Sequence, residues 1–155
     1  MAATDPLKKE HAVLRQMLEA LEGELQAVPQ APGALQQQCH ALARFVDAHI
    51  RKEEAVFAPY THRLTEAVRR RMMGDHADEW MLLHELDIIL SSKLNIATGD
   101  VIARLSRLVD ELRDHLDVEE RMVFTVIDRA ERGLAQHADA AEAAGVTRQT
   151  GGPSR

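Results

Sequence analysis

The stretches His49-Ile-Arg-Lys-Glu53-Glu54-Ala-Val-Phe57 and His115-Leu-Asp-Val-Glu119-Glu120-Arg-Met-Val-Phe124 decide how this chain is read. Each sets a histidine and a glutamate four positions apart. On a helix that spacing stacks the two side chains about one turn apart, so both reach one cation or two adjacent ones. Each stretch also follows another histidine at nearly the same distance: His49 lies 38 positions after His11, and His115 lies 39 after His76. The pattern predicts two copies of one helical hairpin, each delivering two imidazoles and a carboxylate to a shared place.

Working outward, the helices are bounded by familiar breaks. Asp5-Pro6 reads as a helix start, and Val28-Pro-Gln-Ala-Pro-Gly33 as a short loop. Pro59 ends or kinks the second helix, and residues from about Thr61 to Met73 read as a short connecting helix before Gly74-Asp75. A third break falls around Ala97-Thr-Gly-Asp100. After Gly133 a short Ala-rich helix is expected, with Gly145 to Arg155 as a disordered tail. Four long helices with short connections predict an all-α, up-down-up-down antiparallel four-helix bundle with a short extra C-terminal helix, residues 1–144 forming one domain and 145–155 the tail.

Alternating three-and-four spacing picks out the inward seam of each helix. In the first it is Leu7, His11, Leu14, Leu18, Leu21 and Leu25; in the second, Leu35, Cys39, Leu42, Val46, His49, Glu53 and Val56. In the fourth it is Val101, Leu105, Leu108, Leu112, His115, Glu119, Met122 and Val126. The only polar members are the histidines and glutamates of the repeat, so these groups point inward. Their heights agree as well: reflecting His11 through a loop centred near Ala31 lands near position 51, between His49 and Glu53. For the second hairpin the matching level falls between positions 75 and 82, which holds His76 and leaves His84 just outside.

The third helix is the ambiguous one. Its seam through His76 is Met73, His76, Trp80, Leu83, Asp87, Leu90 and Leu94, more apolar than Ala77, Met81, His84, Ile88, Ser91 and Asn95 through His84. His84 would also stand 31 rather than 39 positions before His115. His76 is the favoured ligand and His84 the alternative, as a supporting or solvent group. Asp87 fits its seam poorly, which a rotation bringing Leu86 inward would relieve. Met81, Leu82, Ile88 and Ile89 lie off the seam, either covering the connecting segments or forming a subunit contact.

Burying these groups has a cost that decides the chemistry. An unpartnered buried polar group costs on the order of 1–3 kcal/mol and an isolated carboxylate far more. One histidine on an apolar seam is ordinarily a hydrogen-bonded core residue. Four in matched order with two glutamates favour a metal, which supplies charge to the carboxylates and accepts imidazole lone pairs. The candidate ligands are His11, His49, Glu53, His76, His115 and Glu119. Glu54 and Glu120 stand a helical step of about 100° from the ligands and read as solvated or supporting groups, while Glu79, one turn beyond His76, is within reach. Trp80, Phe57, Phe124 and Cys39 read as packing residues; His40, His62 and His137 lie off the seams and read as surface groups.

Composition excludes several other roles. The 155 residues fit one domain, and a net charge of −6 with no basic patch argues against nucleic acid or an anionic membrane surface as partner. The start does not resemble a signal peptide, and no apolar run approaches the roughly 20 residues of a membrane span, so a cytoplasmic protein is expected. The single cysteine leaves stability to packing and metal. A monomer or weak homodimer is expected.

The ordered set His11, His49-x3-Glu53, His76, His115-x3-Glu119, with its glutamate pairs and trailing Phe57 and Phe124, resembles the hemerythrin-type HHE cation-binding domain over roughly residues 5 to 128. The resemblance implies a bundle holding two non-haem iron ions, with Glu53 and Glu119 bridging them and His11, His49, His76 and His115 as nitrogen ligands. Oxygen-carrying hemerythrins have a further histidine one turn after the first in the third helix, where this chain has Trp80. A four-histidine set leaves more open positions and resembles the bacterial H-HxxxE-H-HxxxE type, which implies redox, peroxide-handling, sensing or iron-storage roles.

Mixed imidazole and carboxylate ligation suits iron best and also accommodates manganese or zinc. Two function classes follow. One is a module that binds O2, NO or peroxide at a carboxylate-bridged di-iron centre; the other is a catalase- or peroxidase-like di-iron enzyme. A structural zinc bundle is the third and plainest reading.

Overall fold

A computed structural model describes residues 2–26, 32–91 and 99–146, with the side chains of Pro32, Leu86, Asp87, Ile89 to Ser91, Ala135 and His137 to Val146 outside the description. The loop at 28–31, the break at 97–98, the tail from 147, and the expectations for Asp87, Leu86, Leu90, Leu94, Ile89 and His137 therefore fall outside the described residues. Helix α1 spans Asp5–Gln26, α2 Pro32–Phe57, α3 Glu66–Ser91 and α4 Gly99–Val118, with α5 at Thr125–Val146. A 3-10 turn, Ala58–Arg63, joins α2 to α3, and a wide π-helical turn, Glu119–Phe124, joins α4 to α5. The described residues form no strand.

Contacts run α1 to α2, α2 to α3, α3 to α4 and α4 back to α1, so the four helices close a ring around one core, as expected of an antiparallel bundle. The seams explain the ring. Leu7, Leu14, Leu18 and Leu21 of α1, Leu35, Leu42 and Val46 of α2, and Leu105, Leu108 and Leu112 of α4 are all buried. Cys39 is buried among them, and burial pushes its thiol up to about 12, which keeps it protonated and inert.

The core is two apolar clusters rather than one. A larger cluster runs from Leu14 and Val46 toward Leu21, Leu35 and Val101; a smaller one gathers Leu7, Phe57, Leu64, Val123, Phe124 and Ile127. His11 lies between Leu7 and Leu14, His49 and Glu53 between Val46 and Phe57, and His115 and Glu119 between Leu112 and Val123. The polar residues thus occupy one slice across the bundle, with a dry layer on either side.

Four expectations are corrected. No separate connecting helix precedes Gly74, because α3 runs unbroken from Glu66; a glycine without a neighbouring proline costs a helix about 1 kcal/mol, too little to end it. The C-terminal helix is no short element after Gly133: it is the 22-residue continuation of the α4 rod, with Gly133 inside it. The wide turn inserts extra residues into that rod, so Val123, Phe124 and Ile127 face inward, while Met122 is exposed and Val126 half-buried. Two side chains satisfy carbonyls around this turn: the Thr125 hydroxyl donates to Glu120 O at 3.3 Å, and Arg121 Nε donates to Asp117 O at 3.0 Å.

The fourth correction concerns α3. Met73 is 75% exposed and Trp80 54%, whereas Glu79 and Leu83 are buried. The helix is turned by about one residue from the expected seam, and Trp80 stacks on the exposed His84 ring at 5.3 Å instead of packing inward. Met81 and Ile88 are exposed as well, so they cover no connecting segment. No described helix is long and apolar enough to cross a membrane.

Candidate metal centre

The structure brings His11, His49, Glu53, His76, His115 and Glu119 into that single slice. Ligating atoms of His11, His49, Glu53 and Glu119 lie within 4.8 Å of one another, and so do those of Glu53, His76, His115 and Glu119. The two quartets share both glutamates. His11 Nε2 stands 3.2 Å from Glu53 Oε1 and 3.5 Å from Glu119 Oε2. His49 Nε2 is 2.9 Å from Glu53 Oε1, and His115 Nε2 is 3.4 Å from Glu119 Oε2, each one helical turn along its own rod. His76 Nε2 approaches Glu53 Oε2 at 3.4 Å and Glu119 Oε1 at 3.8 Å. His84 is exposed and takes no part.

Among these short separations only His11 Nε2 and Glu53 Oε1 form a hydrogen bond, at 3.2 Å. His49 Nε2, His76 Nε2, Glu53 Oε2 and both oxygens of Glu119 are buried without a hydrogen-bond partner. The atoms are close to one another yet aimed at points between them, as ligands of a cation are. At about 1–3 kcal/mol each, five such atoms amount to roughly 5–15 kcal/mol, as large as the whole net stability of a domain. A cation removes that penalty with the donors as they stand, so the residues fit a metal.

A second tier of carboxylates holds the rings. Glu10 Oε2 is 2.9 Å from His49 Nδ1, and Glu120 Oε1 is 2.9 Å from His11 Nδ1. Glu79 Oε1 stands 3.3 Å from His115 Nδ1, with Asp75 Oδ2 at 3.8 Å. His49 and His11 therefore keep Nδ1 outward on an acid and Nε2 toward the centre, the carboxylate–histidine arrangement that fixes tautomer and ring orientation for a metal, whereas His115 Nδ1 has Glu79 and Asp75 near it but no hydrogen bond. Two of the outer acids are charge-matched: Lys52 pairs with Glu10, and Arg15 Nη1 donates to Glu120 at 2.7 Å. Among the described residues no lysine or arginine pairs with Glu79, and its Oε2 is left without a partner.

The electrostatics follow from this crowding. Burial disfavours the charged rings, but the closely facing carboxylates of Glu119 and Glu53 outweigh it and raise His11 to about 9 and His76 to about 10. His115 rises to about 9 against its own burial, chiefly through Glu119, and His49 is raised the same way through Glu53. Burial would push Glu119 up, yet the rings of His11, His115 and His76 hold it well below the usual carboxylate range. Burial lifts Glu79 to about 7, with His115 and His76 opposing.

Phe124 and Phe57 seal the side facing the smaller core cluster. The Phe124 ring packs 4.9 Å from His11 and 5.9 Å from Phe57. Glu120 is a support for His11, one of the two roles expected of it, and Glu54 is exposed. Glu79 lies beside the site as its position one turn past His76 suggested. Glu10, Asp75, Arg15 and Lys52 were not anticipated. Each lies off the seam and acts across to another helix, and the only signal was the charge complementarity of Glu10 with Lys52 and of Arg15 with Glu120. His62 is exposed as expected, whereas His40 is half-buried.

The family model described as hemerythrin HHE cation-binding domain matches residues 2–127. No curated protein and no solved structure matches the chain.

Proposed function

This chain belongs to the hemerythrin HHE cation-binding domain family, and on that premise we propose that it holds two non-haem irons and binds a small ligand, O2, NO or peroxide, at them. The observation that carries the reading is the pair of quartets sharing Glu53 and Glu119. Two cation positions with two common carboxylates call for bridging glutamates: His11 and His49 serve one position, His76 and His115 the other. Imidazole and carboxylate donors suit iron. An iron pair in this place would supply redox-active, incompletely ligated metal to a small molecule.

The protein's own residues do the rest. Glu10 and Glu120 orient the His49 and His11 rings, and the layers containing Phe124 and Leu112 exclude water above and below. The four histidines leave positions open that a fifth would fill, because residue 80 is a tryptophan facing out. An absorption spectrum with iron quantification, on anaerobically reduced protein before and after air, tests the reading. About two irons per chain and an oxo-bridged diferric band are expected; zinc in place of iron, or no spectral change, would refute it.

One feature favours peroxide decomposition over simple binding. Glu79 is a buried acid with a free oxygen beside His115, a place to hold a proton next to the centre. Sustained oxygen evolution from peroxide, abolished by His115→Ala, would establish turnover. A stoichiometric burst alone would leave the protein a binding module.

A further inference from the structure

Resting on the small-ligand reading above, the geometry points to one entry route: the small uncharged ligand reaches the centre along the α2/α3 groove and meets it at the position served by His76 and His115. The six residues of the centre are not equally sealed. The His76 side chain is 11% exposed, against 0–4% for the other five. That exposure opens into a groove of about 690 Å³ whose walls include Ile50, Phe57, Met72, Met73, Ala77 and Trp80, with His76 among its lining residues.

The walls select by chemistry. Apolar surface and adaptable thioethers cost a neutral diatomic nothing in desolvation, whereas an anion would leave water and pass the carboxylates of Asp47 and Glu54, offset only by Arg69. The groove on the other side of α3, about 860 Å³, differs. It reaches His115 past the acids Asp75 and Glu79, which stand on the ring's outward nitrogen. Those carboxylates occupy the approach from that side. The outward turn of α3 that exposes Met73 and Trp80 is what builds the apolar wall, so the helix rotation and the open coordination face are one feature.

Ala77 is exposed on the groove wall beside His76, so Ala77→Trp fills the passage without entering the core. Met73→Trp repeats the obstruction from another exposed position, and Asp78→Trp places the same bulk on the opposite groove as a control. The association rate of NO with the reduced, iron-loaded full chain should fall tenfold or more in Ala77→Trp and Met73→Trp and stay within twofold in Asp78→Trp, with iron content unchanged in all three. In zinc-loaded protein under O2 pressure, relaxation of the His76 ring protons should exceed that of His11 and should drop in Ala77→Trp. Unchanged rates in both groove variants, or equal slowing by Asp78→Trp, would overturn the route. Absence of any NO adduct in the unaltered iron-loaded chain would instead refute the small-ligand reading beneath it.

Discussion

Loading metal into this protein should expel protons, and the number follows from the geometry. In the metal-free chain His11 sits at about 9, His76 at about 10 and His115 at about 9, with His49 raised as well. At pH 7 the His11, His76 and His115 rings carry protons on the nitrogens that face the two glutamates, and a ring must lose that proton to coordinate. Neutralising two inner carboxyl groups takes two imidazolium rings, and all four shift in the same direction, so between two and four protons should leave per chain. For a ring near 9, displacing the proton at pH 7 costs about 2.7 kcal/mol of metal affinity. Apparent affinity should therefore climb by about two to four decades per pH unit near neutrality and level off above the ring values. Calorimetric titration with zinc in two buffers of different ionisation enthalpy reads the proton number directly. Release of less than one proton at pH 7, or release that does not shrink between pH 7 and 10, would refute the reasoning.

The same shifts give the metal-free protein a pH-dependent stability of opposite sense: the rings' folded values lie above the ordinary 6.5, so their contribution is full below about 6.5 and is lost as pH rises through 9 to 10. Its melting temperature should fall across that window, and a flat profile would contradict the ring–glutamate contacts. Stripping both metals at pH 7 should lower the melting temperature by about 10–20 °C if metal was present at about 100 times the Kd of each site, as calorimetry before and after chelation would read. Glu10→Ala and Glu120→Ala, each freeing one ring nitrogen, should weaken metal binding by about 10–100-fold while leaving the helical content unchanged, as competition with a chromophoric chelator would show. Trp80→His should add no ligand, because residue 80 faces out; an altered diferric absorption spectrum in that variant would show that α3 can rotate to bring it in.

What could be read from the sequence was whatever depended on periodicity. The α1, α2 and α4 seams are apolar apart from the repeat residues, so their inward faces were legible, and with them the convergence of His11, His49, Glu53, His115 and Glu119. His76 was legible through the level of the opposite hairpin arm rather than through its own seam. Helix α3 carries apolar residues around its circumference, and a helix with no single greasy stripe does not announce its rotation; hence Met73 and Trp80 point outward against expectation. The wide turn at Glu119–Phe124 was invisible because a π-turn is set by tertiary packing and leaves no residue signature, yet it decides that Val123 and Ile127, not Met122 and Val126, close the core. The outer acids Glu10 and Asp75 were missed for a related reason: each reaches across to another helix, and a pattern read along one helix does not see such pairs.

Anomalous diffraction at the iron edge from crystals of the iron-loaded chain tests the central claim most directly. Two peaks should appear inside the bundle, one against His11 and His49, the other against His76 and His115, with Glu53 and Glu119 touching both. A single interior peak, or iron found only at the surface, would contradict the shared-carboxylate centre.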